Sequence, residues 1–305
     1  MKNWSYMIPI TSGILWGSIG VFVRTLSALG MDSYTVLSTR MSVSAVLMFV
    51  GLFFYNKNLL KIKIKDLWLF AACGILGTIG LNYCYNEAIN RLPLSLSAVL
   101  LSLSPIFVLF WSAVLFKEKI TRKKTGCTAL AVLGCILVSG ILESHGQVNW
   151  SFMGVILGIG AAFFCALYSV FSKIAMERNY DAFTITFYSL LTAAVVLLPF
   201  TDWHMVESYL TEAPAANGFF LILHAVCTSV LPYVLYTLAL VYVETGKASI
   251  LSAGGEPVAA MLFGFFLFSE IPTLLSIAGL IITIIALSIL CLPDKNHNSA
   301  YIEQH

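Results

Sequence analysis

Ten apolar runs alternate with short polar breaks, at residues 6–28, 33–55, 66–90, 94–116, 122–142, 150–176, 181–200, 215–242, 246–268 and 272–292. Each is close to the roughly 20 residues that a helix needs to cross the hydrocarbon core of a bilayer. The runs are continuous, without the alternation in strips of about ten residues that marks a membrane barrel. Backbone groups in lipid must find partners within their own segment, so these runs predict helices. Residues 293–305 are polar and predict a loose tail. The first run follows Met1 and Lys2 but is too long for the core of a signal peptide, and no small-x-small cleavage site follows it.

The polar breaks differ in charge. Lys57, Lys61, Lys63 and Lys65 lie between runs 2 and 3; Lys117, Lys119, Arg122, Lys123 and Lys124 between runs 4 and 5. Lys173 and Arg178 flank the break after run 6, and Lys247 marks the break after run 8. The other breaks hold Arg24 and Arg91 at their edges, and one carries Asp202, Glu207 and Glu212. Basic loops stay on the cytoplasmic side, so both termini, including the polar tail, are expected in the cytoplasm.

Two stretches share one form. In SPIFVLFWSAVLFKE, Pro105 precedes Glu118 by thirteen residues; in GGEPVAAMLFGFFLFSE, Pro257 precedes Glu270 by thirteen. Weaker correspondences keep the same order: Trp16 and Arg24 with Cys165 and Lys173, and Tyr85 and Ala88 with Tyr236 and Ala239. The pattern predicts two five-helix halves, 1–142 and 150–292. Five is odd, so the second half enters from the opposite side. Inverted repeats of this kind serve alternating access in transporters, although channels and membrane enzymes carry them too.

Composition narrows the classes. The chain is 59% hydrophobic and 10% charged, with mean hydropathy +0.90, where soluble domains carry about 25% charged residues. The net charge of +2 says nothing about nucleic acid, because the basic residues sit in short clusters between runs, and no nucleic-acid partner is expected. Seven cysteines lie within the runs, without a C-x-x-C pair or histidines at ligand spacing, so neither a metal site nor a disulfide framework is expected. They read as small buried apolar residues. There is no Walker motif, and no cofactor is called for.

The W-G-S of Trp16, Gly17 and Ser18, the paired P-x12-E stretches and the five-plus-five layout together resemble the drug/metabolite transporter superfamily, EamA type. The resemblance spans Ile8 to Leu292. It implies an all-α membrane protein of ten transmembrane helices around a central cavity, carrying small polar metabolites out of or into the cell. With no organelle signal in the sequence, it also favours an inner or plasma membrane.

Candidate site residues follow from depth. Glu256 lies roughly 13 Å in from Lys247 at a rise of 1.5 Å per residue, where a carboxylate must be protonated, paired or facing water. Three roles stay open for it: a structural acid, a partner for an intramembrane base, or a site for a cation or coupling proton. Arg40 lies roughly 10 Å below the outer surface by the same rise and needs an anion, from the protein or from a solute. His224 is the histidine within a span. Asn82 and Tyr83 belong to the polar strip LNYCYNEAIN, and Trp16 and Tyr168 are too deep for interfacial anchors. Together they suggest an aromatic and amide wall suited to an amphipathic solute such as an amino acid or an organic cation. Each also reads as ordinary packing. Pro105 and Pro257 predict bends, and Gly254 and Gly255 allow another helix or a ligand close to the backbone; the four are candidate hinge residues. Glu118 and Glu270 read as turn-holding caps beside the following helices.

The function class expected is a secondary transporter of a small amphipathic metabolite, with export the favoured direction. A channel or a non-transporting scaffold is the alternative. A lipid-acting enzyme is disfavoured, because H-E-x-x-H, D-D-x-x-D and G-x-S-x-G are absent and polar residues are dispersed.

Overall fold

The structure, a computed structural model, describes residues 3–89, 91, 97, 100–138, 142, 151–268 and 273–292. The described residues are almost wholly helical, and each of the ten predicted runs contains a helix. In chain order these are α1 (Met7–Gly17), α2 (Ile19–Ala28), α3 (Ser33–Tyr55), α4 (Leu67–Ala72), α5 (Leu81–Ile89), α6 (Ser104–Phe116), α7 (Arg122–Val138), α8 (Phe152–Glu177) and α9 (Ala182–Leu197). There follow α10 (Trp203–Glu212), α11 (Pro214–Ala225), α12 (Leu231–Tyr242), α13 (Thr245–Phe268) and α14 (Leu274–Cys291). Six stretches among the described residues are long and apolar enough to cross a membrane: Trp4–Ala28, Ser33–Tyr55, Ile64–Ala88, Phe152–Glu177, Ala182–Phe200 and Pro214–Tyr242. The apolar helices Ser104–Phe116 and Leu274–Leu290 are shorter. The predicted tail, Glu270, the Pro257 side chain and part of the fourth run lie outside the described residues.

Helix starts are set by local chemistry. Asp32 accepts from the Tyr34 and Thr35 amides at 3.0 and 3.4 Å, Asp181 from Phe183 at 2.8 Å, and Ser151 from Gly154 at 3.2 Å. Each satisfies amides that have no partner in the first helical turn. Pro105 stands in the first turn of α6, where a missing N–H costs nothing. The bend expected there is therefore a break: residues 102 and 103 form a turn and the helix restarts. α13 runs unbroken through Pro257.

Two stretches are wound as π-helix, Cys73–Gly80 between α4 and α5 and Val226–Val230 between α11 and α12. A π-turn inserts a residue and re-aims the side chains that follow, and it recurs at functional sites. Asn82 and Tyr233 each stand just beyond one.

Glycines let helices touch backbone to backbone. A Cβ on Gly13 of α1 would lie 2.1 Å from the Ser252 carbonyl oxygen of α13, and one on Gly255 would lie 2.8 Å from that of Ile10. Gly254 faces Leu287 of α14, and Gly77 faces the Tyr168 backbone of α8. Small residues at crossings replace the hydrophobic drive that lipid cannot supply. The largest buried apolar cluster draws on α3, α8, α9 and α12, with Met41, Tyr168, Leu190, Tyr233 and Leu240 at its heart.

Candidate functional site

At the centre of that cluster an aromatic group forms around α12. Tyr233 packs edge-on against Trp16 at 5.3 Å and against Tyr168 at 4.9 Å between ring centroids. Tyr236 lies 5.6 Å from Trp16 and 6.3 Å from Tyr168. The phenols are tied down: Tyr168 Oη bonds Thr237 Oγ1 at 2.8 Å, and Tyr236 Oη bonds Ser169 Oγ at 2.7 Å. Buried tyrosines need such partners, because an unbonded hydroxyl in an apolar interior is costly.

Beside this group, Arg40 of α3 donates from Nη2 to Asn82 Oδ1 at 2.8 Å, and Asn82 Nδ2 donates to the Thr78 carbonyl at 2.7 Å. The π-wound stretch ending at Gly80 thus aims Asn82 at the arginine. Arg40 lies within electrostatic reach of Tyr233 and His224. The structure brings together Trp16, Arg40, Asn82, Tyr168 and His224, contributed by both halves of the chain.

Two predicted members stand elsewhere. Tyr83 is 44% exposed on the outside of α5, 6.0 Å from the Tyr34 ring, because a residue adjoining inward-facing Asn82 must turn away. Glu256 is half-buried within reach of Tyr85, Cys135 and Cys165, so it does not neutralise Arg40. Gly254 and Gly255 are occupied by α14 and α1 packed against them, which is a helix crossing and leaves no backbone open to a ligand. Tyr233, Tyr236 and Thr237 complete the cluster and were not singled out as site residues; their apolar surroundings in the sequence disguise them as packing.

The cluster is closed. Tyr168, Tyr233 and Tyr236 are 3%, 3% and 4% exposed. Cavities of about 280 and 260 Å³ open elsewhere, one beside Asp202, His204 and Glu212 and the other beside Lys63, Arg178 and Tyr180.

The basic face is fastened across the two halves. Asp66 pairs with Arg178 and accepts from Tyr180 Oη at 2.7 Å. Burial pushes the Tyr180 phenol up, and so does its bond to Asp66, so it remains a donor. Lys124, 2% exposed, pairs with Glu244 at 2.9 Å and lies 3.8 Å from Glu118. Glu118 is a cap, but of α13 and not of its own neighbour α7: its oxygens accept from the Thr245 and Gly246 amides at 2.9 and 3.2 Å. Lys117 at φ 54° turns the chain left-handed just before it and redirects the carboxylate.

The EamA-like transporter family matches this chain over residues 3–140 and again over 152–292. The chain belongs to that family. A relative named an uncharacterized transporter, from Archaeoglobus fulgidus, is 27% identical over 88% of this chain and 90% of its own. The pseudopaline exporter of Pseudomonas aeruginosa is 28% identical over 70% and 71%. A protein of Streptantibioticus cattleyicolor, named a probable terminal-alkyne amino-acid exporter, is 22% identical over 90% and 88%. One crystal structure superposes with a TM-score of 0.75 at 14% identity, covering 95% of this chain and 96% of that one, which shows the fold alone. This EamA-like protein is a multi-pass membrane protein of a transporter family, not an enzyme.

Proposed function

We propose that this EamA-like protein is a secondary transporter that exports a small amphipathic metabolite of the amino-acid or organic-cation class. It works by alternating access between two inverted five-helix halves, residues 1–142 and 150–292, in the cell membrane with both termini cytoplasmic. The observation that carries the reading is the meeting of Trp16, Arg40 and Asn82 from one half with Tyr168, Tyr233 and Tyr236 from the other. Aromatic faces with a few placed polar groups suit a solute that is part apolar and part charged.

The halves are supported by the double family match and by the two π-wound stretches, which start 153 residues apart (226 − 73) and end 150 apart (230 − 80). The fastened basic face and the buried aromatic cluster suit a state closed toward the cytoplasm. Glu256, placed in the membrane away from Arg40, is the candidate for a coupling proton. If it couples, Glu256→Gln abolishes pH-driven transport and spares solute exchange.

Solute counterflow in proteoliposomes tests the reading. A carrier shows exchange stimulated by solute on the far side, whereas a channel or scaffold shows none. Screening amino acids, amines and sugars by thermal stability supplies the solute for that assay, because a ligand of the folded state raises the melting temperature by mass action.

A further inference from the structure

We infer that Arg40 and His224 form a binding site for an anionic group, buried between α3 and the helix running from Pro214 to Tyr242. The inference deepens the transport reading, because it selects solutes with an acidic end.

Arg40 is 4% exposed and holds its proton under all physiological conditions. Its one side-chain partner, Asn82, is neutral, its Nε has no partner, and no carboxylate pairs with it among the described residues. His224 is fully buried, lies flat on Phe22 at 5.1 Å with 18° between the rings, and has no partner at either nitrogen. Ser229 Oγ, on the π-wound stretch between His224 and Tyr233, is also unpartnered. Ser44, one turn beyond Arg40, approaches the Ala225 carbonyl at 3.3 Å, which sets the Arg40 side of α3 against the His224–Ala225 step.

Native interiors rarely leave a buried cation without a counter-charge or buried donors without acceptors. Here the unmet groups are a guanidinium N–H, an imidazole N–H and a hydroxyl, all able to donate. The second imidazole nitrogen of a neutral ring accepts instead, but a ligand that accepts, such as a carboxylate or a halide, answers the charge of Arg40 and the donors around it. An ammonium group meets the charge of Arg40 and is repelled. Glu256 cannot fill the place, since its neighbours are Tyr85, Cys135 and Cys165. The anion is therefore the acidic end of the solute or a free inorganic ion.

The test measures melting of the purified full chain in a buffer whose own anion is bulky, with sodium phenylacetate, phenethylammonium chloride and sodium chloride as probes. Phenylacetate is expected to raise the melting temperature in a saturable way. Arg40→Gln should weaken its apparent affinity on the order of 30-fold or more, the effect of truncating one partner of a buried charge pair. Arg40→Lys and His224→Gln should each weaken it less, and they carry the test if Arg40→Gln does not fold. An Arg40-dependent effect of chloride alone upholds the site and assigns it to a free anion. Equal stabilisation by phenethylammonium without chloride dependence overturns the site, as does indifference of the phenylacetate effect to all three variants, or no response to any anion. Counterflow of phenethylammonium unaffected by these variants overturns the anion site and leaves the transport reading standing. Anion-dependent melting without any counterflow does the reverse.

Discussion

Single glycines decide how close the helices come. At Gly13 a methyl group would collide with the Ser252 carbonyl at 2.1 Å, and at Gly255 with that of Ile10 at 2.8 Å, whereas nothing lies within 4 Å of a Cβ on Gly20. Backbone cannot swing aside as a side chain does, so overpacking there costs about 1–3 kcal/mol or more. Gly13→Ala and Gly255→Ala should each lower the melting temperature markedly. Gly20→Ala should leave it level or raise it, since alanine in a helix is favoured by about 0.5–1 kcal/mol. A second residue-scale expectation concerns the aromatic cluster: Tyr168→Phe removes the bond to Thr237 and should destabilise the fold by about 1 kcal/mol, read by the same melting assay. The site was partly legible at this scale. Depth marked Arg40, His224 and Trp16, because a charge or a polar ring in the middle of an apolar run demands an explanation. Tyr233 gave no such signal, and Tyr83 was misplaced because adjacent residues on a helix point about 100° apart.

At the scale of the element, caps divide into local and distant ones. Asp181 accepts from Phe183, two residues on, while Glu118 accepts from Thr245 and Gly246, more than a hundred residues on. Both stabilise the positive end of a helix, yet only the local kind can be read from sequence. Spacing identified Glu118 as a cap, and three-dimensional structure assigned it to α13. Glu118→Ala should cost about 1–2 kcal/mol, more than Glu118→Gln, which keeps an acceptor; chemical denaturation of the two variants measures the difference. The π-wound stretches were equally invisible beforehand. Their apolar residues predict helix, and nothing in the local sequence specifies an extra residue per turn. Helix existence, by contrast, was plain in all ten runs, because apolar length is a property of each segment alone.

At the scale of the whole molecule, the basic loops carry links that join the first half to the second: Asp66 to Arg178 and Tyr180, and Lys124 to Glu244. Removing the charges should favour opening at that face. The double variant Asp66→Asn, Glu244→Gln is expected to increase labelling of a cysteine placed at Thr237 by a membrane-impermeant reagent supplied from the side of these links, relative to the same cysteine in the parent. No increase would mean that the links only hold loops.

The glycine crossings described above have a thermal consequence. If α1 and α13 stay pressed together at Gly13 and Gly255 and swing as one lever, little apolar surface changes its surroundings between conformations. The proposed exchange then carries almost no heat capacity of activation, and the logarithm of its rate falls on a straight line against reciprocal temperature. Were α13 to fold at Gly254–Pro257 instead, the seam would part, greasy surface would be uncovered, and the line would curve.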